Sequence, residues 1–268
     1  MTTTDHWITT PGGRLFARSW TPPGRAAGTG PAIVLLHDSL GSVALWRDFP
    51  EKLASATGLA VTAYDRLGFG RSDPHPGHLP PGFIHGETTT GLLPLCEQLR
   101  LQGIIPFGHS VGGAMAVGAA AQLPARCLAV ITEAAQAFVE DRTIAGIREA
   151  ELAFRDPGQL ARLAKYHGAK APWVLQAWIG TWLSPGFAGW TLDEDLAGVA
   201  CPLLALHGDR DEYGTVRHQE RIASLPPGPS RSVLLPDCGH VPHRERPDEV
   251  LRETARFLSP LIPVAQRT

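Results

Sequence analysis

Gly103-Ile104-Ile105-Pro106-Phe107-Gly108-His109-Ser110-Val111-Gly112-Gly113-Ala114-Met115-Ala116 carries the fold assignment. It opens on an apolar run of the kind a buried parallel strand requires and closes on small residues suited to a tightly packed helix. Between them lies a G-x-S-x-G pentapeptide centred on Ser110. A serine between strand and helix occupies a cramped turn that pushes its hydroxyl clear of the backbone, and flanking glycines remove the clashes. The helix behind it aims unpaired N–H groups at the place where negative charge would develop. The context separates this from a chance pentapeptide. Pro106 is awkward for a central strand and blurs the strand's limits.

Outward from this stretch, strand-like and helix-like segments alternate, which predicts an α/β fold with a mostly parallel sheet flanked by helices. An opening hairpin spans 7–20, followed by a surface loop from Pro22 to Pro31. Apolar runs at 32–36, 59–64, 128–131, 202–206 and 232–235 read as strands. Helices are expected at 49–57, 94–102, 111–122 and 247–258, the last opening on Pro247, Asp248 and Glu249. The alternation breaks from about 136 to 196, where helical pieces near 142–154, 159–167 and 172–183 suggest an insertion over the sheet's C-terminal edge. The expected organisation is therefore a core in two parts, 1–135 and 197–268, with a helical cap at 136–196. Trp173, Trp178, Trp182 and Trp190 fall within the insertion. Trp178 and Trp182 lie one turn apart and share a face, either the insertion's own core or a pocket ceiling.

A serine hydroxyl is a weak nucleophile, so a base and an orienting carboxylate must accompany it. Candidates follow two later strand-like runs: His207-Gly208-Asp209-Arg210-Asp211-Glu212-Tyr213, then Asp237-Cys238-Gly239-His240-Val241-Pro242-His243. Both runs would end on the same sheet edge as Ser110, where an open parallel sheet binds its ligand. Residue types alone leave Asp209 and Asp211 nearly tied.

Four ordered motifs make the chain resemble the α/β-hydrolase superfamily over nearly its whole length. His37-Asp38-Ser39-Leu40-Gly41 is similar to that family's H-G-x oxyanion loop, and Asp65-Arg66-Leu67-Gly68-Phe69-Gly70-Arg71-Ser72 to its D-x-x-G-x-G-x-S loop. Gly208-Asp209-Arg210-Asp211 resembles its G-x-x-D acid turn, and the stretch from Gly239 to Pro247 its G-H-x-P-x-x-E-x-P loop. The resemblance implies Ser110 as nucleophile, His240 as base, Asp211 as acid with Asp209 a structural neighbour, and the N–H groups of Ser39 and Val111 as oxyanion hole. It places His243 at the pocket rim or surface. Asp38 departs from the glycine usual at its position, which unsettles that loop and brings a carboxylate toward the pocket mouth. Asp38, Phe138, Trp178, Trp182 and Tyr213 are expected to line the substrate pocket. Asp65 and Arg66 are read as loop braces, Glu133 as a loop-holding carboxylate, and His109 as a packed neighbour of the nucleophile.

Composition bounds the rest. The 268 residues are 43% hydrophobic and 19% charged, with a formal net charge of −2. That mixture supplies a core and argues against nucleic acid or an anionic membrane as partner. No apolar stretch reaches bilayer length. Four scattered cysteines and the absence of a signal-like N-terminus suggest a cytoplasmic protein. Asp237, Cys238, His240 and His243 have metal-like types, but the histidine loop accounts for them, so neither metal nor cofactor is expected. Gly68-Phe69-Gly70 is too short for a dinucleotide fingerprint.

The expected partner is a small-molecule substrate. Resembling enzymes that open epoxides or displace halide carry aspartate at the elbow, so Ser110 points to acyl transfer. The leading expectation is hydrolysis of a small-to-medium carboxylic ester with an apolar or aromatic group. C–C bond hydrolysis of ring-cleavage diketones comes next, though the 37–42 loop lacks the H-G-x-G-P-G pattern of such enzymes. Thioester or lactone hydrolysis follows, with perhydrolysis as a side activity. A non-catalytic ligand sensor on the same fold is the reading from a different class.

Overall fold

The computed structural model describes residues 1–25 and 30–262; residues 26–29 of the expected Pro22–Pro31 loop lie outside them. The described strands are β1 (Thr2–Thr10), β2 (Gly13–Thr21), β3 (Ala32–Leu36), β4 (Ala60–Tyr64), β5 (Ile104–His109), β6 (Val130–Glu133), β7 (Leu203–Gly208) and β8 (Ser230–Leu235). They form one sheet in the order β1-β2-β4-β3-β5-β6-β7-β8. The β1–β2 and β2–β4 pairings are antiparallel; every later pairing is parallel. The fully buried strands β3, β5, β6 and β7 all read as apolar runs, as a sheet covered on both faces requires. At the edge, β8 alternates exposure instead and leaves Leu234 in solvent.

Pro106 sits in the middle of central strand β5, and the ladder shows how that is tolerated. On the β3 side it pairs with Val34. On the β6 side the bridge Ile104↔Cys127 gives way to Phe107↔Ile131, with one extra residue on the β6 strand. A proline has no N–H to donate, and the bulge falls where that donor is missing.

The helices are α1 (Phe49–Thr57), α2 (Phe83–Glu87), α3 (Leu93–Gln98), α4 (Val111–Gln122), α5 (Asp141–Ala153), α6 (Pro157–His167), α7 (Ala171–Trp182), α8 (Asp193–Ala197), α9 (Val216–Ser224), α10 (Pro242–Glu245) and α11 (Pro247–Leu258). Helix α4 is buried along nearly its whole length, which explains its alanines and glycines: bulkier side chains would hold it off β5 and β6.

Helices α5–α8 fill the chain between β6 and β7. Their two ends are tied by a Phe138↔Thr191 bridge, with Leu192 N–H donating to Ala137 O at 2.8 Å. Further contacts dock the insertion on the loops above the sheet. Gly70 N–H donates to His167 Nδ1 at 2.8 Å, His167 Nε2 lies 2.9 Å from Leu40 O, and Lys170 Nζ donates to the carbonyls of Gly70 and Ser72.

Candidate active site

Ser110 stands between β5 and α4 with φ 55° and ψ −125°, in the left-handed region that costs a non-glycine residue energy. The glycines around it make the turn possible. A Cβ on Gly108 would run into the carbonyl of Gly112, and one on Gly112 into that of Leu36. Ser110 N–H donates to Glu133 O at 2.9 Å, pinning the elbow to the end of β6.

His240 Nε2 lies 3.0 Å from Ser110 Oγ. Its Nδ1 lies 2.9 Å from both carboxylate oxygens of Asp211, which stands just past β7. Asp211 is fully buried and accepts the N–H groups of Tyr213 (2.8 Å) and Gly214 (3.1 Å). Asp209 instead braces the loop by accepting Cys238 N–H at 3.2 Å. Burial, the largest single influence on His240, opposes its charged form. The charge and hydrogen bond of Asp211, with Glu212 and Asp38 adding, nonetheless carry its pKa above the ordinary value. Burial also opposes ionisation of Asp211, yet His240 and the backbone donors hold its carboxyl below the usual range. Nδ1–H therefore donates to the carboxylate and leaves Nε2 free to accept the Ser110 proton.

The serine opens into a cavity of about 250 Å³. Its lining includes Asp38, Ser39, Gln136, Glu212, Tyr213 and His240 from the core side, with Trp178 and Trp182 above. The shared face of the two tryptophans is thus a pocket ceiling, and Trp182 also packs on Phe187 and Trp190 within the insertion. Trp173 goes elsewhere, stacking on His75 and meeting Phe69. Ser39 and Val111 meet across a small adjoining space. Val111 opens α4, so its N–H has no partner within that helix.

Two placements differ from expectation. Phe138 is not in the pocket lining: its ring stacks on His218 at 4.3 Å, beneath Arg217 and Arg221, and its backbone joins the Thr191 bridge that closes the insertion. His243 is neither rim nor surface. It is buried, its Nδ1 2.7 Å from Glu133 Oε2, with its ring against Trp46 and Phe49. Glu133 therefore does hold the histidine loop. His109 is a buried neighbour whose Nε2 donates to His240 O at 2.7 Å, and burial brings its pKa down to about 4.

Of the lining residues not expected from sequence, Leu40, Glu212 and Val241 lie within the quoted motifs, and the others came without one. Gln136, whose Oε1 lies 3.3 Å from Ser110 Oγ, sits three positions past the end of β6. Thr143 and Ile147 share the inner face of α5, a spacing of four visible in the sequence. The 37–41 loop is well pinned despite Asp38: Arg66 N–H donates to His37 Nε2, while Gly41 N–H and Arg66 Nη2 donate to Asp38 O. Asp65 braces its neighbours by accepting Val43 and Arg71 N–H groups.

His109, Glu133 and His243 bring potential metal-ligand atoms within 4.8 Å of one another. The shortest contact among them, Glu133 to His243, is a hydrogen bond that engages an atom of each partner. The donor set is better used as a self-bonded network than as an open coordination shell. Among the described residues, no helix is long and apolar enough to cross a membrane.

A family model described as the alpha/beta hydrolase family matches residues 33–253. An epoxide hydrolase A of Mycobacterium tuberculosis is 26% identical over 96% of this chain and 98% of its own. An esterase of Thermogutta terrifontis superposes with a TM-score of 0.71 at 22% identity, covering 96% of this chain and 99% of its own. An enol-lactonase of Burkholderia xenovorans superposes with a TM-score of 0.73 at 21% identity, covering 94% and 99%.

Proposed function

The chain belongs to the alpha/beta hydrolase family, and from that premise we propose that this hydrolase cleaves a small-to-medium carboxylic ester through an acyl-enzyme, with Ser110 as nucleophile, His240 as general base and Asp211 orienting it. The observation that carries the reading is the chain of contacts from Asp211 through His240 Nδ1 and Nε2 to Ser110 Oγ, all within 3.0 Å. As Ser110 Oγ bonds to the carbonyl carbon, its proton passes to His240 Nε2. The oxyanion is met by the N–H groups of Ser39 and Val111, which is the largest catalytic contribution such a site makes. His240 then protonates the leaving alcohol, the C–O bond breaks, and water enters by the same route to release the acid.

Serine at the elbow supports this chemistry over epoxide opening, because a serine oxygen that attacked saturated carbon would leave an ether that water cannot readily cleave. The cavity of about 250 Å³, apolar above and polar below, suits a compact acyl or alcohol group. The test is labelling by a fluorophosphonate probe together with turnover of p-nitrophenyl acetate and butyrate. Both should vanish in Ser110→Ala. A wild-type protein that neither labels nor turns over would sink the reading and bring the ligand-sensor alternative forward.

A further inference from the structure

We propose that the ester this cavity is built for carries a cationic, ammonium-type group on its alcohol side; the inference rests on the acyl-transfer reading above and names its substrate class.

The first observation is the charge of the lining. Two carboxylates, Asp38 and Glu212, face the cavity, and no lysine or arginine is among the described residues that line it. The second is that, among the described residues, no hydrogen bond engages the Asp38 carboxylate. Its Oδ1 is buried without a hydrogen-bond partner, and its Oδ2 lies 3.7 Å from His109 Nδ1, beyond hydrogen-bond reach. Two cations stand nearby, but neither hydrogen-bonds the carboxylate. Arg66 gives Nη2 to the backbone carbonyl of Asp38 and lays its guanidinium over Phe69 at 4.2 Å, while Arg244 gives Nη2 to Leu45 O at 2.6 Å.

This placement is costly for a neutral ester. Asp38 adjoins Ser39, an oxyanion donor in the proposed mechanism, so its charge sits beside the point where the transition state gains negative charge. Like charges at that range repel and slow the step. A positive group on the substrate reverses the sign, neutralising Asp38 in the ground state and the oxyanion in the transition state.

The third observation is aromatic. Trp178, Trp182 and Tyr213 share the cavity with the two acids, and Tyr213 packs against His240 at 4.8 Å between ring centroids. Indole and phenol faces beside carboxylates are the surroundings that hold an alkylammonium. The side follows from proton delivery. His240 Nε2 must reach the leaving oxygen, and Glu212 flanks the same histidine and lines the same cavity, its Oε2 accepting the backbone N–H of His240 at 3.2 Å. The charged group therefore belongs to the departing alcohol. Ser110 Oγ takes the acyl carbon, the ester C–O bond breaks, and the amino alcohol leaves with the proton from His240.

Acetylcholine and its uncharged isostere 3,3-dimethylbutyl acetate differ in charge at nearly constant shape. The wild-type enzyme should favour the cation in kcat/KM by roughly tenfold or more, and the ratio should fall as ionic strength rises, since exposed charges are screened. Asp38→Asn and Glu212→Gln should each lower the ratio, and the double variant should bring it close to one. The ratio cancels any common loss of catalysis or folded protein. A wild-type ratio at or below one overturns the inference, as does a preference that survives in the double variant. Hydrolysis of the neutral ester or of p-nitrophenyl butyrate in those cases leaves the acyl-transfer reading standing, whereas loss of all ester turnover counts against that reading itself.

Discussion

Two carboxylate–imidazole pairs stand side by side at the C-terminal edge of the sheet, and they are nearly the same object. Asp211 follows β7 and holds His240; Glu133 ends β6 and holds His243. The histidines lie three residues apart on one loop, both offer Nδ1 to a fully buried carboxylate, and both rings are buried. In both pairs burial resists the carboxylate charge, and the histidine's charge and hydrogen bonds win, holding each acid below its ordinary pKa. What differs is the ring's other side. His240 turns Nε2 to Ser110 in an open cavity, whereas His243 lies against Trp46 and Phe49. A polarised histidine becomes a base only where its second nitrogen meets a substrate-facing group. Elsewhere the same pair is a brace, here joining the Ser110 turn, which Glu133 O also anchors, to the His240 loop.

The sharpest way to break this contrast is turnover. His240→Ala and Asp211→Asn should each lower kcat by roughly 10⁴-fold, the scale of losing a base or its orienting acid in a triad. Glu133→Gln and His243→Gln should cost less than about tenfold per folded site, counted by fluorophosphonate titration, because they touch only positioning. A thousandfold loss in Glu133→Gln would erase the distinction and make the second pair part of the chemistry.

Of the two pairs, one was legible whole in the sequence and the other only through Glu133, read as a loop-holding carboxylate. Ser110, Asp211 and His240 sit in local motifs whose backbone demands, such as the glycines beside Ser110, leave a mark on their neighbours. Even so, choosing Asp211 over Asp209 and His240 over His243 needed the family pattern, because residue type and spacing leave both choices open. The Glu133–His243 contact spans 110 positions and joins residues with no shared motif, so only the sheet order reveals it. The same holds for Phe138, whose aromaticity suggested the pocket but whose ring is claimed by His218. The parallel strands were readable because burial on both faces gives them unbroken apolar runs. The edge position of β8, itself read as a strand at 232–235, and the bulge opposite Pro106 depend on neighbours that sequence does not display.

Stability should reverse the ranking. Removing one partner of a buried pair strands the other without solvation, so Glu133→Ala or His243→Ala should lose about 3–5 kcal/mol in urea unfolding. Asp211→Asn keeps an acceptor for the Tyr213 and Gly214 N–H groups and should lose less than either. Equal losses would mean that the two pairs brace the fold alike.

The pairs should also part in pH. His240 has its folded pKa raised above the ordinary 6.5, and it must be neutral to act as base. The rise of kcat/KM with pH should therefore have its midpoint above 6.5, and Asp211→Asn should move that midpoint down. In stability terms a raised histidine contributes fully below its unfolded pKa and loses that contribution as pH climbs through the folded one. Glu133 runs the other way. Its lowered pKa contributes above the unfolded carboxylate value, near 4.5, and is lost as pH falls through the folded value. Unfolding free energy followed from pH 3 to 9 in Glu133→Gln should lack that acid-side loss, while the activity midpoint stays where the wild type has it.

The smallest expected effect is the most discriminating. If Glu133 and His243 serve each other only as buried partners, replacing both by apolar residues of similar volume, Glu133→Met with His243→Leu, removes the desolvation cost along with the bond. The double variant should then recover most of what either single change loses, ending within about 1 kcal/mol of wild type. Its turnover of p-nitrophenyl butyrate should stay within a few-fold of wild type, because Ser110 N–H still reaches the backbone carbonyl at 133 and His109 still holds the carbonyl of His240. No equivalent swap exists for Asp211 and His240, since an apolar pair there leaves Ser110 without a proton acceptor. Recovery of stability without recovery of turnover would show that the loop needs the polarity of the brace, and not merely its volume, to set His240 against Ser110.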